Sequence, residues 1–239
     1  MNSVSYEEAI ALGTVTRAAV APLQSGDVLT RDEFIHRWEN MPLRKRAELI
    51  QGVVYMPSPL SREHGVMENN VAGWLALYRA ATPGVEAADN SSWLMGPRSM
   101  PQPDVSLYVL PEYGSRSRLV DLYMSGAPEF VTEVCVSSAA YDLHQKLELY
   151  QEHGVQEYLA VLMQEREVRW HRLTGERFEV VPAPADGIYR SAVFAGLWLD
   201  AAALLAGDLA RVLAVLNDGL RSPEHAAFVQ QLAARRTTP

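Results

Sequence analysis

Apolar positions along the chain recur with two different periods, and each period marks a different element. Met67, Val71, Trp74, Leu75 and Tyr78 lie three and four residues apart, the spacing of one helical face, in a helix opened by Ser61 and His64. An earlier, shorter helix running through Trp38 is predicted by Thr30 as N-cap and Glu33 three residues on, a capping box. Between them, RAELIQGVVYM has two β-rich halves around Gln51 and Gly52, which predicts a hairpin with Glu48 on its first strand, ended by Pro57 and Pro59. Strands are expected around Val85 to Leu94, over Pro101 to Leu110 and over 128–137. The stretch EYGSRSRLVDLYMSGA between them reads as a long loop with one short helix.

A helix from about Ala139 to His153 is stopped by Gly154. Strands EYLAVL, EVRWHRL and ERFEVV follow, the last two joined at Thr174 and Gly175. From Leu197 onward the pattern becomes helical again, broken at Gly207 and Pro223, which predicts a C-terminal helical appendage. Residues Met1 to Gly26 show no period and read as an arm. The element order predicts an α/β (α+β) protein with a mixed sheet covered by helices.

Three charges violate this pattern. Asp104 in PDVSLYVL and Glu133 in PEFVTEVCVSS sit in apolar segments that read as buried strands, and Lys146 in DLHQKLELY shares a helical stripe with Leu143, Leu147 and Tyr150. Buried carboxylates are costly without partners. Strand alternation puts Asp104 with Ser106 and Tyr108 on one face, and Val131, Glu133 and Cys135 together on one face of the next strand. If the strands are neighbours, the two carboxylates approach and favour a bound cation. Oxygen ligands suit Mg²⁺ or Mn²⁺, and the backbone carbonyl of Cys135 is a candidate further ligand. Lys146 would then stabilise negative charge on a phosphate or orient a water.

Each residue also has a plainer reading. Asp104 follows Pro103 and suits a solvated strand end, Glu133 and Lys146 suit a structural ion pair, and Glu48 suits an exposed edge strand. His64 in a first helical turn is expected at the surface. The triplet Arg44, Lys45, Arg46 is expected on a solvated face or along a phosphate path.

Composition narrows the classes. The 239 residues are 48% hydrophobic and 21% charged, with a net charge of −8, which fits a globular protein without a non-specific nucleic-acid coat. The single cysteine, Cys135, excludes an intrachain disulfide and points to a reducing compartment. The N-terminus has acidic residues where a secretion signal needs basic ones. A cytoplasmic protein with no membrane partner is therefore expected.

The succession AELIQGVVYMPSP, SREHGVMENNVAGWL, QPDVSLYV and PEFVTEVCVSSAAYDLHQKLELYQEHGVQEYLAV resembles the Uma family of putative restriction endonucleases, within the PD-(D/E)XK nuclease superfamily. The similarity spans roughly residues 30 to 200. It implies a restriction-endonuclease-like fold over 27–200, between an arm over 1–26 and a helical extension over 201–239. It also implies Mg²⁺-dependent hydrolysis of DNA, with Glu48, Asp104 and Glu133 as the acidic residues and Asp104 and Glu133 as metal ligands. The superfamily lysine is due two residues after the second acid, where this chain has Cys135. Lys146 on the following helix matches the position at which relatives carry it instead. A symmetric homodimer is expected of a nuclease that cuts both strands. The competing expectation is a catalytically silent nuclease-like domain serving as a binding or assembly module.

Overall fold

The computed structural model describes residues 20–41, 46–56, 61–135 and 142–237. Most of the 1–26 arm, the expected strand end at 137 and the expected helix start at Ala139 lie outside them, as do Arg44 and Lys45.

The first helix, α1 (Arg31–Glu39), is capped as expected, with Thr30 Oγ1 accepting the Glu33 N–H at 3.3 Å. The Glu33 side chain accepts from Arg37 at 2.7 Å. The hairpin β1 (Glu48–Ile50) and β2 (Val53–Tyr55) turns at Gln51 and Gly52, with φ of 50° and 89°. Two positive φ angles in a two-residue turn match the right-handed strand twist. Helix α2 (Arg62–Ala81) has Ser61 as its N-cap and buries Met67, Val71, Trp74, Leu75 and Tyr78, the stripe expected of it.

The centre is a six-stranded mixed sheet of β3 (Val85–Asp89), β5 (Val105–Val109), β8 (Phe130–Cys135), β9 (Glu157–Leu162), β10 (Glu167–Thr174) and β11 (Arg177–Val180). Their order across it is β11-β10-β9-β8-β5-β3. Strands β8 and β9 run parallel, and the other pairs are antiparallel. One face buries Val105, Leu107, Phe130 and Val134 with the α2 stripe. The other buries Tyr108, Val131 and Cys135 with Leu149 and Tyr150 of helix α3 (Leu147–Glu152). Strand alternation thus sorts these residues as expected. A π-helical turn over Asp142–Lys146 leads into α3, and Gly154 follows it at φ 77°.

Three features depart from the sequence reading. The strand expected over Val85 to Leu94 is two, β3 and β4 (Trp93–Leu94), separated at Asn90 with φ 47°. The expected loop after Leu110 holds a 3₁₀ turn at Pro111–Tyr113 and a hairpin, β6 (Arg118–Val120) and β7 (Tyr123–Ser125). Strand β7 also pairs with β4, so long-range pairing creates strands too short to show a period. The small sheet β12 (Ile188–Arg190) and β13 (Trp198–Asp200) was likewise not anticipated.

Helices α4 (Ala201–Ala206), α5 (Leu209–Leu220) and α6 (Pro223–Arg235) complete the chain. Val212, Leu216 and Leu232 bury into the same core as α2 and the sheet. Asp200 ends β13 and caps α4, accepting the Ala203 N–H at 3.0 Å. Trp74 Nε1 donates to the Trp198 carbonyl and the Tyr78 hydroxyl to that of Ala195, both at 2.9 Å.

Gly219 of α5 lies against the Gly196 carbonyl, and a Cβ there would also stand 2.8 Å from the Trp198 ring. Gly219→Ala should therefore destabilise the fold by about 1–3 kcal/mol through overpacking, read as a lower urea midpoint with an unchanged m-value.

Candidate active site

Strand β5 pairs with β8 from Val105↔Thr132 to Leu107↔Phe130. One position beyond the Val105–Thr132 pair come Asp104 and Glu133, so both acids stand at one end of the sheet. Both are buried, as are Glu48 and Lys146. The Lys146 ammonium lies 2.9 Å from Glu133 Oε1 and 3.1 Å from Glu48 Oε1. The Tyr150 hydroxyl, one helical turn after Lys146, donates to the same Glu133 oxygen at 2.6 Å. Burial, then the Glu133 and Glu48 charges, raise the Tyr150 pKa well above its ordinary value, keeping it a donor. Glu48 Oε1 also accepts the Gln102 N–H at 2.6 Å.

Asp104 stands beside this group in a second set of contacts. Its Oδ2 accepts the Val134 N–H at 2.8 Å, and its Oδ1 accepts from Arg46 Nη2 at 3.4 Å. His64 Nε2 lies 3.6 Å from Asp104 Oδ1 and 3.4 Å from Glu68 Oε2. Burial pushes the Asp104 carboxyl up, but the His64 imidazole, the Lys146 charge and the Val134 amide outweigh it and hold the pKa below the ordinary carboxylate value. Asp104 in turn holds the His64 imidazole above its ordinary value, with support from Glu68, against burial and Arg46.

Glu48, Glu133 and Lys146 thus meet at one end of the sheet, with Asp104 beside them in contacts of its own; the three acids do not bring ligand atoms within 4.8 Å of one another. The structure corrects the reading of His64, which is buried and faces Asp104. The solvated-strand-end reading of Asp104 and the exposed-edge reading of Glu48 fall for the same reason, since both carboxylates are buried. The Cys135 thiol is fully buried in the apolar face shared with Val131 and Leu149, which disfavours a nucleophilic role. Its carbonyl accepts the Met163 N–H at 3.0 Å as part of the sheet, leaving one lone pair for any other ligand. Among the described residues, the three possible metal ligands whose atoms come within 4.8 Å of one another are His64, Glu68 and Asp104. Sequence reasoning missed Glu68, although it sits four residues after His64 on the same helix, and missed Tyr150 as a partner of Glu133. A cavity of about 570 Å³ lies at the opposite end of β5, β8 and β9, lined by Arg116, Glu129 and Gln156 among others, and contains none of these residues.

A family model described as "Putative restriction endonuclease", Uma2, matches residues 31–202. The chain belongs to the Uma2 family. The matched span runs from α1 to α4 and includes every Uma2 residue named in this site. A crystal structure described as a putative nuclease belonging to DUF820, from Anabaena variabilis ATCC 29413, is similar in fold, with a TM-score of 0.55 and 17% identity over 74% of this chain and 99% of that one. No curated protein matches this Uma2 chain. No helix among its described residues is long and apolar enough to cross a membrane.

Removing one partner of a buried ion pair leaves the other charge uncompensated. Lys146→Met should therefore cost about 3–5 kcal/mol of stability. Glu133→Gln combined with Lys146→Met should cost less than the sum of the two single changes in a urea double-mutant cycle, because the pair is lost only once.

Proposed function

We propose that this chain is a Mg²⁺- or Mn²⁺-dependent endonuclease that hydrolyses DNA phosphodiester bonds, with Asp104 and Glu133 as metal-binding acids and Glu48 and Lys146 completing the site. The observation that carries this reading is the Lys146 ammonium 2.9 Å from Glu133. It brings the helix-borne lysine to the acid that it would serve, although position 135 is a cysteine.

The donor set suits a divalent cation, since it combines buried carboxylates with an imidazole nitrogen, His64 Nε2, that is buried and has no hydrogen-bond partner. When bound, such a cation would neutralise phosphate charge and lower the pKa of an attacking water. The protein groups have separate tasks. The Val134 amide fixes Asp104, and the Tyr150 hydroxyl and Lys146 fix Glu133. Lys146 presents a positive charge where negative charge would develop on the phosphate. Arg46, with 29% of its side chain exposed beside Asp104, is placed to meet a phosphate oxygen from the solvent side. A cytoplasmic symmetric dimer, presenting one such site to each DNA strand, completes the proposal.

One observation favours a second reading, a silent nuclease-like module. Lys146 is itself deeply buried and engaged by two carboxylates, as a purely structural ion pair would be.

Plasmid, linear and single-stranded DNA incubated with Mg²⁺ or Mn²⁺ separates the two. Cleavage should fall by roughly 10²–10³-fold in Glu133→Gln and Lys146→Met, assayed where circular dichroism shows each variant folded. Mn²⁺ should raise the melting temperature of the wild type but not of Asp104→Ala. No cleavage together with no metal-dependent shift would overturn the nuclease reading in favour of the silent module.

A further inference from the structure

The carboxylates around Lys146 already have a cation between them. Those around His64 are arranged differently. Each has one oxygen held by an N–H group and the other turned toward the imidazole. Asp104 Oδ2 accepts the Val134 amide at 2.8 Å while Oδ1 lies 3.6 Å from His64 Nε2. Glu68 Oε1 accepts the Asn90 side-chain amide while Oε2 lies 3.4 Å from the same nitrogen. Neither separation from His64 matches the usual N–H···O distance of about 2.7–3.2 Å. The nitrogen is buried, on a residue 7% exposed, and meets both oxygens at ion-pair distance without the geometry of a hydrogen bond. A buried polar atom left in that state costs free energy.

We infer that the cation-binding position of this chain is centred on His64 Nε2, Glu68 Oε2 and Asp104 Oδ1, between the first turns of α2 and the start of β5, and that it selects Mn²⁺ over Mg²⁺. The inference rests on the metal-dependent reading above, keeps Asp104 as a ligand, and puts His64 and Glu68 in the place that reading gives to Glu133, whose Oε1 Lys146 and Tyr150 already engage. Neighbouring ligands in an octahedral shell with bonds of about 2.1 Å lie about 3 Å apart. The two separations from His64 Nε2, 3.4 and 3.6 Å, need only a small contraction to reach that, and all three ligand atoms lie within 4.8 Å of one another. His64 and Glu68 are four residues apart, so a single helix face presents both. Asp104 comes from the sheet and joins this pair to the Glu133 side of the site. An imidazole ligand supplies the selectivity, because a nitrogen donor favours a transition ion over Mg²⁺, which prefers an all-oxygen shell. Arg46, 3.4 Å from Asp104 Oδ1, is the positive group that the ion would have to displace or share that oxygen with.

The test is binding rather than turnover. Mn²⁺ and, separately, Mg²⁺ are titrated into the metal-free full chain by calorimetry, and the Mn²⁺-loaded protein is examined by pulsed electron paramagnetic resonance. The wild type should bind Mn²⁺ roughly tenfold or more tightly than Mg²⁺ and show hyperfine coupling to an imidazole nitrogen. His64→Ala should lose the coupling, and both His64→Ala and Glu68→Gln should weaken Mn²⁺ binding by roughly tenfold or more. The coupling in the wild type needs no variant to fold. Mn²⁺ bound without nitrogen coupling, or with equal affinity in His64→Ala, would overturn this assignment while leaving an ion on Asp104 and Glu133 standing. No Mn²⁺ binding by the wild type would overturn both.

Discussion

An ammonium buried between two carboxylates joins three distant parts of the chain. Glu48 comes from the first hairpin, Glu133 from a central strand and Lys146 from the segment after it. Neither acid could be buried in an apolar sheet face without such a partner, and the lysine would be equally costly alone. The pairing therefore fixes where the hairpin seats and where α3 begins. Tyr150 tightens the arrangement from the next turn, with its ring against Tyr158 of β9 and its hydroxyl on Glu133.

Asp104 stands between two surroundings of different character. Toward β8 it meets the Val134 amide and the field of Lys146, and toward α2 it meets an imidazole and a further carboxylate. This follows from topology. Strand β5 lies between β8 and β3, and Asp104 precedes its first paired residue, where the sheet ends and the helix N-terminus begins. A residue one position later, Val105, is already committed to the core under α2.

Local rules account for what could be read from the residues. Side-chain alternation is fixed by the backbone, so the shared face of Val131, Glu133 and Cys135 was legible without knowing what covered it. The Ser61 cap and the stripe from Met67 to Tyr78 were legible for the same reason. What was hidden depended on contacts distant in sequence. His64 was assigned to the surface because a first helical turn usually faces water, and the Asp104 that it faces in its buried position lies forty positions away. Glu68 reads as an ordinary helix-face acid until Asn90 and Asp104 are placed beside it. The β6–β7 and β12–β13 pairs have three-residue strands, too short for any period to register. The helical pattern from Leu197 onward was visible, but nothing in it disclosed that Val212, Leu216 and Leu232 would join the core under α2.

The π-helical turn over Asp142–Lys146 has a consequence for how this segment tolerates change in length. Such a turn holds an extra residue relative to an α-helix, and each residue added to or removed from a helix rotates everything beyond it by about 100°. Lys146 closes the turn, and Tyr150 rides one α-turn later on the same side. The phase of both groups toward Glu133 is thus tuned by a single surplus residue. A one-residue deletion there would be a rotational fault, whereas the same deletion in an exposed hairpin tip would be only a shortened loop.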